Sequence, residues 1–144
     1  MAAIEFSKRF LVKERIKVKN IDDVVKLVEE LRAKKQEYFL SLTLDGASYL
    51  IQKRTDFIGT LNHSIVHPRE VFADAISDRG AGIIFVHNHP SGNIDPSKED
   101  IAITKRLLEV GKMVVIEVND NVIFGKEGCF SFQAEGMLKA VEIK

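Results

Sequence analysis

The feature that most constrains the fold is a short apolar run in the middle of the chain, residues 82–86 (GIIFV). A run of this length without a polar residue is typical of a β-strand that is buried on both faces. Such a strand has to lie inside a sheet whose two faces are both covered. The run therefore predicts a layered fold in which helices flank a sheet.

Segments with helical and extended patterns alternate along the rest of the chain. Apolar residues at helical spacing predict helices at about residues 22–35, at Pro68–Ser77, from Ser97 to a stop at Gly111, and at about 135–141. Besides the central run, strands are predicted at residues 38–44, 49–54, 114–118, 121–124 and 129–132. This interleaving predicts the α/β class, with a mixed β-sheet and at least three flanking helices.

Composition narrows the functional classes. The 144 residues are 45% hydrophobic and 29% charged, which suits one soluble domain over residues 1–144. A formal net charge of zero gives no global basic field for nucleic acid. Residues 1–19 nevertheless form a basic N-terminal segment. They could be a weak nucleic-acid arm, but we favour a solvated strand and loop.

The single cysteine, Cys129, bears on compartment and on metal chemistry. One cysteine can form no internal disulfide and excludes a Cys-rich zinc site. The N-terminus has no apolar stretch of the signal-peptide kind, and no run approaches the ~18 apolar residues of a membrane span. We therefore expect a cytoplasmic protein without membrane association.

A candidate metal site follows the central apolar run. His87 and His89 are two residues apart, so an extended backbone directs both imidazoles to one side. A loop of turn residues then returns the chain to Asp100, at the start of the next helix. Two nitrogens and one carboxylate oxygen suit one Zn²⁺ per chain and leave a fourth position open, as in catalytic sites. The alternative is structural: Ser97 and Asp100 also form an ordinary helix-start pattern.

A hydrolytic zinc site needs a base that takes a proton from water and returns it to the leaving group. Glu70, on the helix that precedes the metal-binding strand, is the preferred candidate. Glu99 is its competitor, but it neighbours Asp100 on a helix. Its side chain is therefore expected to point about a quarter-turn away from the metal.

These residues match a known motif. The pattern His87-x-His89, seven residues, Ser97, two residues, Asp100 has the spacing of the JAMM motif, also called MPN+. Longer segments resemble the RadC branch of that superfamily: GTLNHSIVHPREVFADAI (59–76), VHNHPSGN (86–93) and PSKEDIAITKRL (96–107). The resemblance covers about residues 20–132.

The resemblance implies a JAB/MPN architecture related to the cytidine-deaminase fold, with one zinc held by His87, His89 and Asp100. It suggests Ser97 as a hydrogen-bond partner near the reacting carbonyl, and Glu70 as the general acid/base. Relatives in other branches cleave peptide or isopeptide bonds. The expected function is therefore that of a zinc metallopeptidase or isopeptidase acting on a peptide or protein substrate.

Two departures from the RadC pattern bear on function, and only the second, together with the basic N-terminal segment, supports an alternative. RadC-like proteins usually carry an N-terminal helix-hairpin-helix region, a DNA-binding type of module, which these 144 residues do not contain, so direct DNA binding is less expected. The branch also usually has Asp-His before its late apolar strand, where this chain has Asp120 and Asn121. The alternative is a catalytically silent RadC-type module associated with DNA repair, recombination or nucleic-acid-bound partners.

Overall fold

The computed structural model describes residues 15–59 and 66–143, which form helices and strands in alternation. The helices are α1 (Ile21–Val28), α2 (Pro68–Ser77), α3 (Lys98–Val114) and α4 (Met137–Ile143). The strands are β1 (Tyr38–Leu44), β2 (Leu50–Ile58), β3 (Gly82–Asn88), β4 (Glu117–Phe124) and β5 (Cys129–Ser131). The predicted α/β class is confirmed.

The five strands form one mixed sheet in the order β2-β1-β3-β4-β5. β3 and β4 are parallel, and the other neighbouring strands are antiparallel. β3 lies at the centre, and all seven of its residues are buried, as the apolar run predicted. The end of β3 that carries His87 and Asn88 is therefore held between two neighbouring strands.

Apolar side chains cover both faces of this sheet. On one face, Phe39 and Phe85 pack with Phe72 of α2 and Leu107 of α3. The other face packs against α1; its buried residues include Leu40, Leu42, Val86, Val122, Phe124 and the α1 residues Val24 and Val28. Burial on both faces fixes the register of β3, because a shift by one residue would turn His87 to the opposite face.

The predicted boundary between the third helix and the next strand was wrong. α3 continues through Gly111 to Val114, and the predicted strands at 114–118 and 121–124 are the single strand β4. The helix ends in a left-handed residue, Val115, with φ at 58°. Gly111 instead permits close packing, because a Cβ there would lie 2.7 Å from the carbonyl oxygen of Ile116.

The first predicted helix is shorter than expected. Asn20 caps α1 by accepting a hydrogen bond from the backbone N–H of Asp23. The α-helix ends at Val28, and a 3₁₀ turn, Glu29–Ala33, completes the segment. Among residues 15–59 and 66–143, no helix has both the length and the apolar character to cross a membrane.

One half-buried acid lies away from the candidate metal site. Asp56 is on β2, and its Oδ2 atom is buried without a hydrogen-bond partner among the described residues. Burial raises the pKa of Asp56 from 3.8 to about 6, although a hydrogen bond with Ser41 opposes the shift. The ionised carboxylate is therefore destabilising at neutral pH.

We expect the Asp56→Asn variant to be more stable than the parent at neutral pH. Because the folded pKa is raised, the parent carboxyl supports folding at low pH and loses that contribution between about pH 4 and pH 6. The gain of the variant should therefore grow over this interval by an amount on the order of 2 kcal/mol. Urea unfolding at several pH values measures it. A gain that is independent of pH, or one shared by the exposed-acid control Glu109→Gln, would contradict the assignment.

Candidate metal centre

The structure brings together the three side chains that the sequence predicted as ligands. The Nε2 atom of His87 lies 2.9 Å from Oδ1 of Asp100, and Nε2 of His89 lies 3.0 Å from Oδ2. Ligand-capable atoms of all three residues lie within 4.8 Å of one another. These three residues could therefore hold a metal ion through two imidazole nitrogens and one carboxylate oxygen.

Strand pairing positions the two histidines. His87 pairs with Phe39 of β1, and the two rings stack with their centroids 5.7 Å apart. His89 follows the end of β3, where its backbone N–H donates to the carbonyl oxygen of Phe124 at 2.8 Å. Its ring Nδ1 lies 2.7 Å from the carbonyl oxygen of Asn93. Each imidazole thus directs Nε2 towards Asp100.

A helix cap positions the carboxylate. The Ser97 side chain accepts from the backbone N–H of Asp100 at 3.0 Å, and Asp100 Oδ2 accepts from the N–H of Ser97 at 2.7 Å. This capping box orients the Asp100 side chain at the first turn of α3. The helix-cap and the metal-ligand interpretations of this pattern are therefore compatible, because the cap itself positions the candidate ligand Asp100.

The electrostatics of the cluster suit a cation. Asp100 and His87 are each only 1% exposed. Burial alone would raise the pKa of Asp100, but hydrogen bonds with His87 and His89 outweigh it and hold that pKa far below its usual range. The hydrogen bond with Asp100 in turn raises the pKa of His89. A buried carboxylate that stays ionised requires compensating positive charge, and a divalent ion held between these three side chains would provide it.

A cavity of about 550 Å³ opens beside the cluster. His89, Asp100 and Ser97 line it, and so do two further acids, Glu37 and Glu99. The structure therefore brings Ser97, as predicted, to the accessible side of the candidate metal site.

Glu70 is not brought to this cavity. It lies in the first turn of α2, and its side chain is 72% exposed, 3.8 Å from Arg69. The residues that line the cavity do not include it. Glu70 as the base remains a prediction, while Glu99, its competitor, does line the cavity.

Glu37 is the acid that sequence reasoning missed. It immediately precedes β1, and continuing the antiparallel β1–β3 register by two residues beyond the Phe39–His87 pair places it opposite His89. The Asn88 side chain fixes the backbone on both sides of Glu37: it donates to the carbonyl oxygen of Gln36 at 2.9 Å and accepts from Tyr38 N–H at 2.6 Å. The negative charge of Glu37 contributes to the raised pKa of His89.

Part of the basic N-terminal segment lies outside the described residues, including Lys8, Arg9 and Lys13. Within the described part, Arg15 lies 3.4 Å from Asp45 and 4.1 Å from the centre of the Tyr49 ring. Arg15 therefore forms an ion pair and a cation–π contact within the protein, and whether residues 1–19 are a nucleic-acid arm or a solvated strand and loop stays a prediction.

Comparison with known proteins decides the family. The sequence profile of the RadC-like JAB domain matches residues 18–137. The chain belongs to this family. RadC-family relatives named only UPF0758 protein are 49% identical over 143 residues in Methanospirillum hungatei, 45% over 140 in Bacillus cereus and 45% over 141 in Clostridium perfringens. These alignments cover 94–96% of the chain but only 62–64% of the relatives' length.

We expect protein purified without a histidine tag to contain about one zinc per chain, because His87, His89 and Asp100 form one set of three ligands for one ion. The double variant His87→Ala/His89→Ala should contain none. Elemental analysis gives the ratio, and zinc should raise the melting temperature of the parent but not of the variant. A parent that binds no zinc when it is offered would refute the metal assignment.

Proposed function

We propose that this RadC-like JAB domain is a zinc-dependent amide hydrolase of the peptidase or isopeptidase type. One observation carries the proposal: a single cavity brings Glu37 and Ser97 to the accessible side of the His87–His89–Asp100 cluster. A metal cluster without an acid and a hydrogen-bond donor beside it would serve a structural role equally well. The presence of both on one cavity supports catalysis.

The donor set favours zinc as the metal. Two imidazole nitrogens and one carboxylate oxygen, with a further position towards the cavity, are the ligands of many catalytic zinc sites. When bound, zinc would polarise the amide carbonyl and make the attacking water more acidic. His87, His89 and Asp100 would hold the ion, and the remaining steps fall to other residues of the cavity.

Glu37 is the proposed proton carrier. Asn88 fixes the backbone at both neighbours of Glu37, and the carbonyl oxygen of Glu37 itself accepts from the N–H of Gly59 at 2.9 Å. A carboxylate in this place takes a proton from the attacking water and returns it to the leaving nitrogen. Proton transfer by a fixed group is worth about 10²- to 10⁴-fold in rate.

Ser97 is proposed to orient the substrate carbonyl. Its oxygen accepts the backbone N–H of Asp100, and accepting this bond uses a lone pair rather than the hydroxyl proton. The hydroxyl can therefore donate to a carbonyl oxygen in the cavity. Stabilising developing negative charge on that oxygen is the usual role of such a donor.

The charges of the cavity favour a peptide over a nucleic acid. Among the described residues that line the cavity, the three acids Glu37, Glu99 and Asp100 outnumber the one lysine, Lys35. Phosphate backbones bind where Lys and Arg cluster, and an acidic lining opposes them. The nucleic-acid-associated alternative therefore gains no support from this site.

We expect Glu37→Gln to retain zinc and to lose about 10²- to 10⁴-fold in turnover. The matched changes Glu70→Gln and Glu99→Gln should leave turnover within a few-fold of the parent. Glu70 does not line the cavity, and Glu99 is next to Asp100 on α3, so its side chain points about a quarter-turn away from the metal ligand. The probes are zinc-loaded protein with a library of fluorescence-quenched peptides and with peptides joined through a lysine ε-amide.

Two results would contradict this assignment. Retained turnover in Glu37→Gln together with lost turnover in Glu70→Gln would establish Glu70 as the base. Zinc-loaded parent that cleaves neither kind of probe would favour the catalytically silent module.

A further inference from the structure

The two histidines of the cluster differ in whether Nδ1, the ring nitrogen that faces away from Asp100, has a hydrogen-bond partner. In His89, Nδ1 contacts the carbonyl oxygen of Asn93 at 2.7 Å. In His87, Nδ1 is buried and has no hydrogen-bond partner among the described residues. A ring that coordinates metal through Nε2 carries its proton on Nδ1, and that proton normally needs an acceptor.

Asn121 carries the complementary unpartnered atom. This side chain on β4 is fully buried, and its Oδ1 has no hydrogen-bond partner among the described residues. β4 runs parallel to β3, with Asn121 paired to Phe85 and Ile123 paired to His87. Since the side-chain period of a strand is two, Asn121 and His87 lie on the same face as diagonal neighbours. Cα atoms in that relation are about 7–8 Å apart, within reach of a rotated imidazole and amide, although His87 Nδ1 and Asn121 Oδ1 form no hydrogen bond with each other in this structure.

The other end of the Asn121 amide is connected to Asp100. Asn121 Nδ2 donates to Thr104 Oγ1 at 2.7 Å, and Thr104 Oγ1 donates to the carbonyl oxygen of Asp100 at 2.7 Å. The threonine has a single hydroxyl proton, which it uses to donate to the Asp100 carbonyl oxygen. Thr104 Oγ1 must therefore accept from Asn121. This fixes the orientation of the amide and leaves Oδ1 as the acceptor that points elsewhere.

We propose that Asn121 is a positioning residue that couples two metal ligands. Its Nδ2 holds the backbone carbonyl of Asp100 through Thr104, and its Oδ1 accepts the Nδ1–H of His87 once that ring is held by a metal through Nε2. The amide thereby selects the His87 tautomer whose Nε2 lone pair faces the metal. Asn121 contacts neither substrate nor metal and acts only through these ligands. The inference rests on the proposed zinc site.

Zinc affinity gives the first test, measured by competition with a chromophoric chelator. Asn121→Leu removes both hydrogen-bonding ends at similar volume, and it should weaken zinc binding by about 10- to 100-fold. Thr104→Val removes only the connection to Asp100 and should weaken zinc binding by a smaller factor. This variant replaces Asn121→Leu as the test if Asn121→Leu folds poorly. The control is Thr43→Val, which removes another buried threonine hydroxyl, on β1. Its affinity should equal that of the parent.

Nuclear magnetic resonance of ¹⁵N-histidine-labelled, zinc-loaded protein separates positioning from a merely structural role. In the parent, both His87 and His89 should show an Nδ1–H signal. Asn121→Leu should shift or remove the signal of His87 alone, because Asn93 still holds His89. Unchanged zinc affinity and an unchanged His87 signal in Asn121→Leu would overturn the inference while leaving the zinc site intact. A parent that binds no zinc would overturn the proposed function and this inference together.

Discussion

The site depends on one buried charge. Asp100 is ionised while almost fully excluded from water, and such a group is stable only if every neighbour compensates it. Two imidazoles approach its oxygens from the end of β3, and the backbone N–H of Ser97, the N-cap of α3, donates to Oδ2. The central strand, the return loop and α3 are therefore held in one arrangement, and the same arrangement creates a position for a cation.

The sequence predicted the part of this arrangement that is local. His87, His89 and Asp100 lie within 14 consecutive residues, so strand geometry and a helix-start pattern were sufficient to bring them together. Glu37 lies 50 residues before His87, and Asn121 lies 34 residues after it. Their places follow from which strands pair and in what register, and a residue pattern does not show pairing between distant strands. Glu70 was preferred because it lies on the helix before the metal-binding strand and because the resemblance to the RadC branch suggested it, and its role stays a prediction.

The fold shows the same limit at a glycine. Gly111 was interpreted as a helix stop because glycine is common after helix ends. In the structure it lies inside α3, where the backbone of Ile116 comes too close for a side chain. A sequence does not distinguish a glycine that supplies a positive φ from one that permits close packing. Most elements were therefore predicted correctly in kind and order, but two predicted strands are the single strand β4, and the end of α3 depended on a tertiary contact.

Neutral amides hold the parts of the site that distant strands contribute. Asn88 fixes the backbone on either side of Glu37, and Asn121 connects to Asp100 through Thr104. An amide both donates and accepts, so one side chain can satisfy two backbone or side-chain groups without adding charge. A charged residue in either place would alter the balance around the buried Asp100 carboxylate, and an apolar one would leave its partners unsatisfied. Asparagine at these two positions therefore lets the sheet position an ionised cluster without competing with it for the metal.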